Sequence, residues 1–152
     1  MQRAAAGGDV TRIGRLDVRT GAWTFCGYPM ERTSTEGDWI GLSEVTTVDD
    51  DTLAVVERDK LSGPDARIKR IYTVDLVGAG ASDGQALPVL RKRLAHDVLP
   101  GLRATRGWTQ EKLEGMTIDA RGDVYVVTDN DGVQDATGET VFLNLVKVLT
   151  RR

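Results

Sequence analysis

Leu53-Ala54-Val55-Val56-Glu57 and Val124-Tyr125-Val126-Val127-Thr128 decide the fold class. Both are short β-branched runs, apolar on either face, and each follows a turn: Asp49-Asp50-Asp51 before the first, Arg121-Gly122-Asp123 before the second. Runs of this kind suit strands buried between two layers. Working outward, Arg67 to Leu76 alternates, with Ile68, Tyr72, Val74 and Leu76 on one face. Lys69, Ile71, Thr73 and Asp75 fall on the other, as in a half-buried strand. Arg12 to Val18 and Glu139 to Leu149 are similar in character. Helical periodicity is weak. Its best window, Leu94 to Leu102, is interrupted by Pro100-Gly101 and allows one or two turns. The chain is expected to be all-β.

The strands repeat. Ser43-Glu44-Val45-Thr46-Thr47-Val48-Asp49 can be set against Leu113-Glu114-Gly115-Met116-Thr117-Ile118-Asp119 at an offset of 70 (114 − 44). With a one-residue gap, the two valine runs then coincide. Ile71-Tyr72-Thr73-Val74-Asp75-Leu76 next falls on Val141-Phe142-Leu143-Asn144-Leu145, and Ile13 to Val18 gives a third copy of that strand. Strand, turn, strand, loop, strand is the sequence form of a propeller blade. The expectation is an all-β, partial β-propeller of two to three blades built from antiparallel sheets. It forms one domain over 1–152 that is incomplete as a ring, with units at roughly 1–40, 41–110 and 111–152. An ordinary β-sandwich is the alternative.

Composition closes off much chemistry. Twenty Lys and Arg against 23 Asp and Glu leave a net charge of −3, which gives neither a nucleic-acid footprint nor a polybasic membrane patch. No apolar run approaches the ~20 residues of a membrane span. The single cysteine, Cys26, excludes an internal disulfide and a cysteine zinc site, and the single histidine, His96, excludes multi-histidine metal sites. No Gly-x-Ser-x-Gly occurs, so His96 with Asp97 lacks a nucleophile in motif context. The N-terminus has no apolar segment of a signal peptide.

Glu111 to Asp119, continuing from Gly122 to Gly132, resembles the phytase-like family, described as "esterase-like activity of phytase". So do Leu53 to Leu76, with Glu57-Arg58-Asp59 and Ala66 to Tyr72, and Ala136 to Thr140 with the final strand. The resemblance spans roughly 41–145 and fits the C-terminal part of the family's propeller. It implies a fold rich in Glu and Asp that hydrolyses phosphate esters or diesters of small phosphorylated substrates, in proteins commonly periplasmic or secreted.

Candidate residues follow from matched positions. Glu44 and Glu114 open equivalent strands, and convergent carboxylates there suit a hard cation such as Ca²⁺, which polarises a phosphoryl oxygen. The competing reading is that each Glu caps its strand or pairs with an Arg of the neighbouring unit. Thr128-Asp129-Asn130-Asp131-Gly132 offers oxygen ligands or a plain Asx turn, and Glu57 and Asp59 hold the matching place one unit earlier. Expected catalytic residues are Glu44, Glu114 and Asp129. Expected metal ligands are Glu44, Glu57, Glu114, Asp129 and Asp131. Arg58, Arg67 and Arg70 are expected phosphate contacts, since guanidinium grips phosphate in bidentate fashion; pairing of these cations with acids of other blades competes with that role. Arg91-Lys92-Arg93 reads as a solvated face, and Cys26, Trp23, Trp39 and Trp108 read as packing residues.

Overall fold

A run of valines flanked by Asp turns needs cover on both faces, and the middle of the molecule supplies it. The computed structural model describes residues 2–3, 9–130, 132 and 139–149. Among these, three antiparallel sheets follow one another in chain order. The first joins β1 (Gln2–Arg3), β2 (Asp9–Asp17) and β3 (Ala22–Pro29). The middle sheet is a four-strand meander of β4 (Ile40–Asp49), β5 (Thr52–Asp59), β6 (Lys69–Asp75) and β7 (Lys92–Asp97). The last holds β8 (Lys112–Ile118), β9 (Val124–Asp129) and β10 (Phe142–Asn144). The all-β expectation holds, and three sheets in series are not the two of a sandwich.

Two apolar clusters bind the stack. Cys26 and Tyr28 of the first sheet meet Val55 and Val74 of the middle one. From the opposite face of that same sheet, Ala54, Val56 and Ile71 meet Leu113, Met116, Val124 and Val126 of the last. Strand β6 is therefore buried on both faces rather than half-buried, and Lys69 is wholly enclosed. Its alternation mirrored two different neighbours, not core and solvent.

The ladders refine the repeat. Glu44 pairs with Val56 and Gly115 with Val127, an offset of 71 (127 − 56). Thr47–Leu53 and Ile118–Val124, and Val56–Ile71 and Val127–Phe142, repeat it on every strand. Each inner strand bulges at the same rung, at Ser43 in β4 and at Glu114 in β8. Glu114 is thus the counterpart of Ser43, and Glu44 that of Gly115, so the offset of 70 misaligns the two glutamates by one residue. Ser43 Oγ donates to the Leu113 carbonyl at 2.6 Å and Thr46 Oγ1 to that of Met116 at 3.3 Å, laying β4 beside β8.

A short helix, α1 (Leu99–Ala104), follows β7. Pro100 lies in its first turn, where the missing N–H has no intrahelical partner to lose, so the proline starts the helix instead of ending it. Val98 and Leu102 fix the segment to the second cluster. No helix among the described residues is long and apolar enough to cross a membrane.

Candidate functional site

Antiparallel meanders send alternate connections to opposite ends. The end of β3, the start of β4, the end of β5, the start of β6, the end of β7 and the start of β8 all lie at one end, together with the loops 30–39, 60–68 and 98–111. Almost every charged residue singled out from the sequence sits there. They divide into three ion-paired sets.

The first is enclosed between the first and middle sheets. Glu57 is fully buried; its Oε1 accepts from Lys92 Nζ at 2.6 Å and its Oε2 from the Glu31 N–H at 3.0 Å. Lys92 also reaches Glu31 at 3.3 Å and stacks 4.2 Å from the centre of the Tyr72 ring, while the Tyr72 hydroxyl donates to Glu31 at 2.7 Å. Lys92 is therefore an interior counterion, not part of a solvated face. Burial pushes the Glu31 carboxyl up, but the Tyr72 hydroxyl and the Lys92 charge outweigh it and hold it below its ordinary value. Burial and the neighbouring Glu57 carboxylate raise the Tyr28 hydroxyl, which is buried without a hydrogen bond of good geometry among the described residues. Arg70, on the rung of Glu57, turns to Asp97 at 3.6 Å.

The second set is Asp59 with Lys69, both without exposed side-chain surface. Lys69 Nζ donates to Asp59 Oδ1 and to the carbonyls of Asp59 and Leu61, and Asp59 Oδ2 accepts the N–H groups of Arg67 and Ile68. Burial lowers the Lys69 ammonium from its ordinary value, against the opposing pull of Asp59. Arg67 is the outlying cation: its side chain is 59% exposed, steered by the carbonyls of Pro64 and Ala66 and lying 3.9 Å from Asp65.

The third set centres on Arg58. Its guanidinium donates through Nη1 to Glu111 at 3.0 Å and through Nη2 to Glu114 at 3.1 Å, bridging the middle and last sheets. The arginine side chain is 8% exposed, the carboxylates 26% and 38%. The indole of Trp39, half-exposed, lies 5.1 Å over the guanidinium. Gly41 admits that ring, since a Cβ there would stand 2.4 Å from it. Residues 111 and 114 would point apart on a regular strand. The bulge at Glu114 turns both to one guanidinium, which is why the spacing gave no hint of Glu111.

The remaining expected residues lie apart. Glu44 Oε1 accepts the N–H of the next residue, Val45, at 2.8 Å, so it caps its own strand while Glu114 pairs across sheets. Asp129 stands on the far face of the last sheet, 3.9 Å from Lys112. Asp131 and residues 136–138 fall outside the described residues. Among those described, no three His, Cys, Asp or Glu side chains stand close enough together to hold a metal ion. Glu44, Glu57, Glu114 and Asp129 thus lie in separate surroundings: on its own strand's N–H, against Lys92, on Arg58 and beside Lys112. The three tryptophans are half-exposed rather than core.

An all-β chain whose acids and bases gather at one end of stacked sheets belongs with the hydrolytic β proteins only if its sequence says so. The family model "Phytase-like: Esterase-like activity of phytase" matches residues 1–132. The chain belongs to the Phytase-like family, whose activity at family level is esterase-like hydrolysis. No curated protein and no solved structure matches it.

Proposed function

We propose that the chain acts as a phytase-like hydrolase on small phosphate esters or diesters, and that its sheets are successive blades of a β-propeller. The blade reading is supported by the shared bulge rung and by the β4–β8 hydrogen bonds. The observation that carries the activity is the pair Glu111 and Glu114, part-exposed carboxylates held on one buried guanidinium where the loops emerge. Glu114, the more exposed, takes the proton from a water that attacks phosphorus while the P–O bond to the ester alcohol breaks, the alcohol leaving and taking up a proton from solvent. Glu111 shares Arg58 and fixes its position, and Arg67 is the exposed cation for a phosphate oxygen. Arg58 and Arg70, already engaged by carboxylates, serve as framework. A divalent cation, Ca²⁺ by its preference for oxygen, stays a separate proposal through which no step passes. It is checked by thermal unfolding with Ca²⁺ and with chelator, where a specific site raises the midpoint.

Hydrolysis of p-nitrophenyl phosphate and of its bis-ester by wild type, Glu114→Gln and Glu111→Gln tests the reading. A loss of about 10²-fold or more in kcat for Glu114→Gln, with an unchanged melt, is expected. Wild-type rates in both variants would remove the pair from the mechanism. A second reading, a non-catalytic module for a protein or glycan partner, is favoured by the neutralisation of Glu57 and Asp59 in ion pairs. A folded wild type inert toward both esters, and toward the lactones that a lactonase-like metal-dependent propeller would open, selects it.

A further inference from the structure

Among the described residues, the middle sheet is packed on both faces, and each outer sheet leaves part of one face exposed. On the outward face of the first sheet, Leu87 and Val89 lie against Gly27 at one end, and beyond them Trp23 and Phe25 stack in parallel, 6.0 Å between ring centres, across Gly14. A Cβ at Gly14 would meet both rings at 3.1 Å, so the glycine keeps this strip flat. Leu16 pairs with Trp23, and both are half-exposed. Arg12 lies 4.5 Å over Phe25 at one end of the strip and touches Asp83 only at 3.5 Å, both side chains being largely exposed. The uncovered face of the last sheet carries the corresponding parts: Tyr125 and Phe142 stacked at 5.6 Å, with Phe142 65% exposed. Here Gly115 and Thr117 are the flat rungs, and Asp129 sits at the charged end.

Taken from the charged end, the rungs match in order. Arg12 stands level with Asp129, Gly14 and Phe25 with Gly115 and Val127, and Leu16 and Trp23 with Thr117 and Tyr125. Inside the chain, every sheet-to-sheet contact already sets one face of a sheet on the opposite type of face of the next. We propose that a second copy of this chain continues that stack, the outer face of its last sheet seated on the outer face of the first sheet here. Arg12 then meets Asp129 across the junction, and the two aromatic pairs bury each other. Made reciprocally, two such contacts close a pair of chains.

Light scattering on the eluting 152-residue chain tests this at about 100 μM, a hundredfold above a micromolar Kd. Wild type is expected at twice 16.5 kDa. Trp23→Glu and Phe142→Glu, both at exposed positions, are each expected at single-chain mass with an unchanged melt. An equimolar mixture of the two variants is expected to regain association, because one contact stays intact between unlike partners. A wild type of single-chain mass overturns the proposal and leaves the faces to a different occupant. Variants that still pair, or a mixture that does not, overturn it as well.

Discussion

The middle and last sheets share a backbone plan and differ in what ends their second strands. At the offset of 71, Glu57-Arg58-Asp59 of β5 lies on Thr128 and Asp129 at the end of β9 and on Asn130, which follows it. In β5 all three are buried and ion-paired. In β9 only Thr128 is buried, its Oγ1 accepting the Val141 N–H at 2.9 Å, while Asp129 is exposed and Asn130 closes a turn onto Gly132. The plan is set by valine runs and bulges; the burial of charge follows from having a sheet on either side. Charges enclosed in this way are costly unless paired, and removing one partner strands the other.

The contrast is broken or sharpened by matched substitutions, read as urea midpoints at constant m-value. Asp59→Ala leaves Lys69 unpaired and two N–H groups without an acceptor, and is expected to cost about 3–5 kcal/mol. Asn130→Ala at the counterpart position should cost about 1 kcal/mol or less, the worth of one exposed hydrogen bond. Equal losses at the two sites would end the distinction. Glu57→Ala takes from Lys92 the shorter of its two carboxylates, leaving it Glu31, and removes the acceptor of the Glu31 N–H; it is expected to cost about 2 kcal/mol, whereas Thr128→Val should lose about 1 kcal/mol.

Tyr28→Phe removes a buried hydroxyl that makes no hydrogen bond of good geometry among the described residues, and should change stability by less than about 1 kcal/mol. That hydroxyl titrates above its ordinary value in the folded state, so stability falls as pH rises beyond the unfolded value of about 10. Tyr28→Phe therefore also flattens the alkaline limb, and an unchanged limb would show the hydroxyl to be solvated. The smallest effect is at acid pH. Glu31 titrates below its unfolded value of about 4.3, so its contribution is complete above that pH and fades as pH falls through the folded value. Tyr72→Phe, by deleting a donor to Glu31, should shrink this acid-sensitive part in a pH series of melts.

How far the sequence could be read depends on the range of the interaction. Strand class, the three units and the repeat follow from local alternation and turn residues, which the residues display directly. The one-residue error between Glu44 and Glu114 arose because a bulge leaves no mark in composition: Ser43 and Glu114 do the same backbone work with unrelated side chains. The partners of Glu57, namely Glu31 and Lys92, stand 26 and 35 residues away in the chain. The one available signal was Glu57 itself, an acid ending an apolar run that had to find a cation somewhere.

Glu44 has a consequence for how the chain behaves among its neighbours in solution. Strand β4 is an edge of its sheet, and Val45 on it is 54% exposed. An open edge with an apolar side chain is a template for an added strand, the first step of aggregation. By holding the Val45 N–H on its own carboxylate, Glu44 withdraws one donor from that template and places a negative charge beside it. The Glu44 carboxylate thereby makes this edge a poorer template for an added strand.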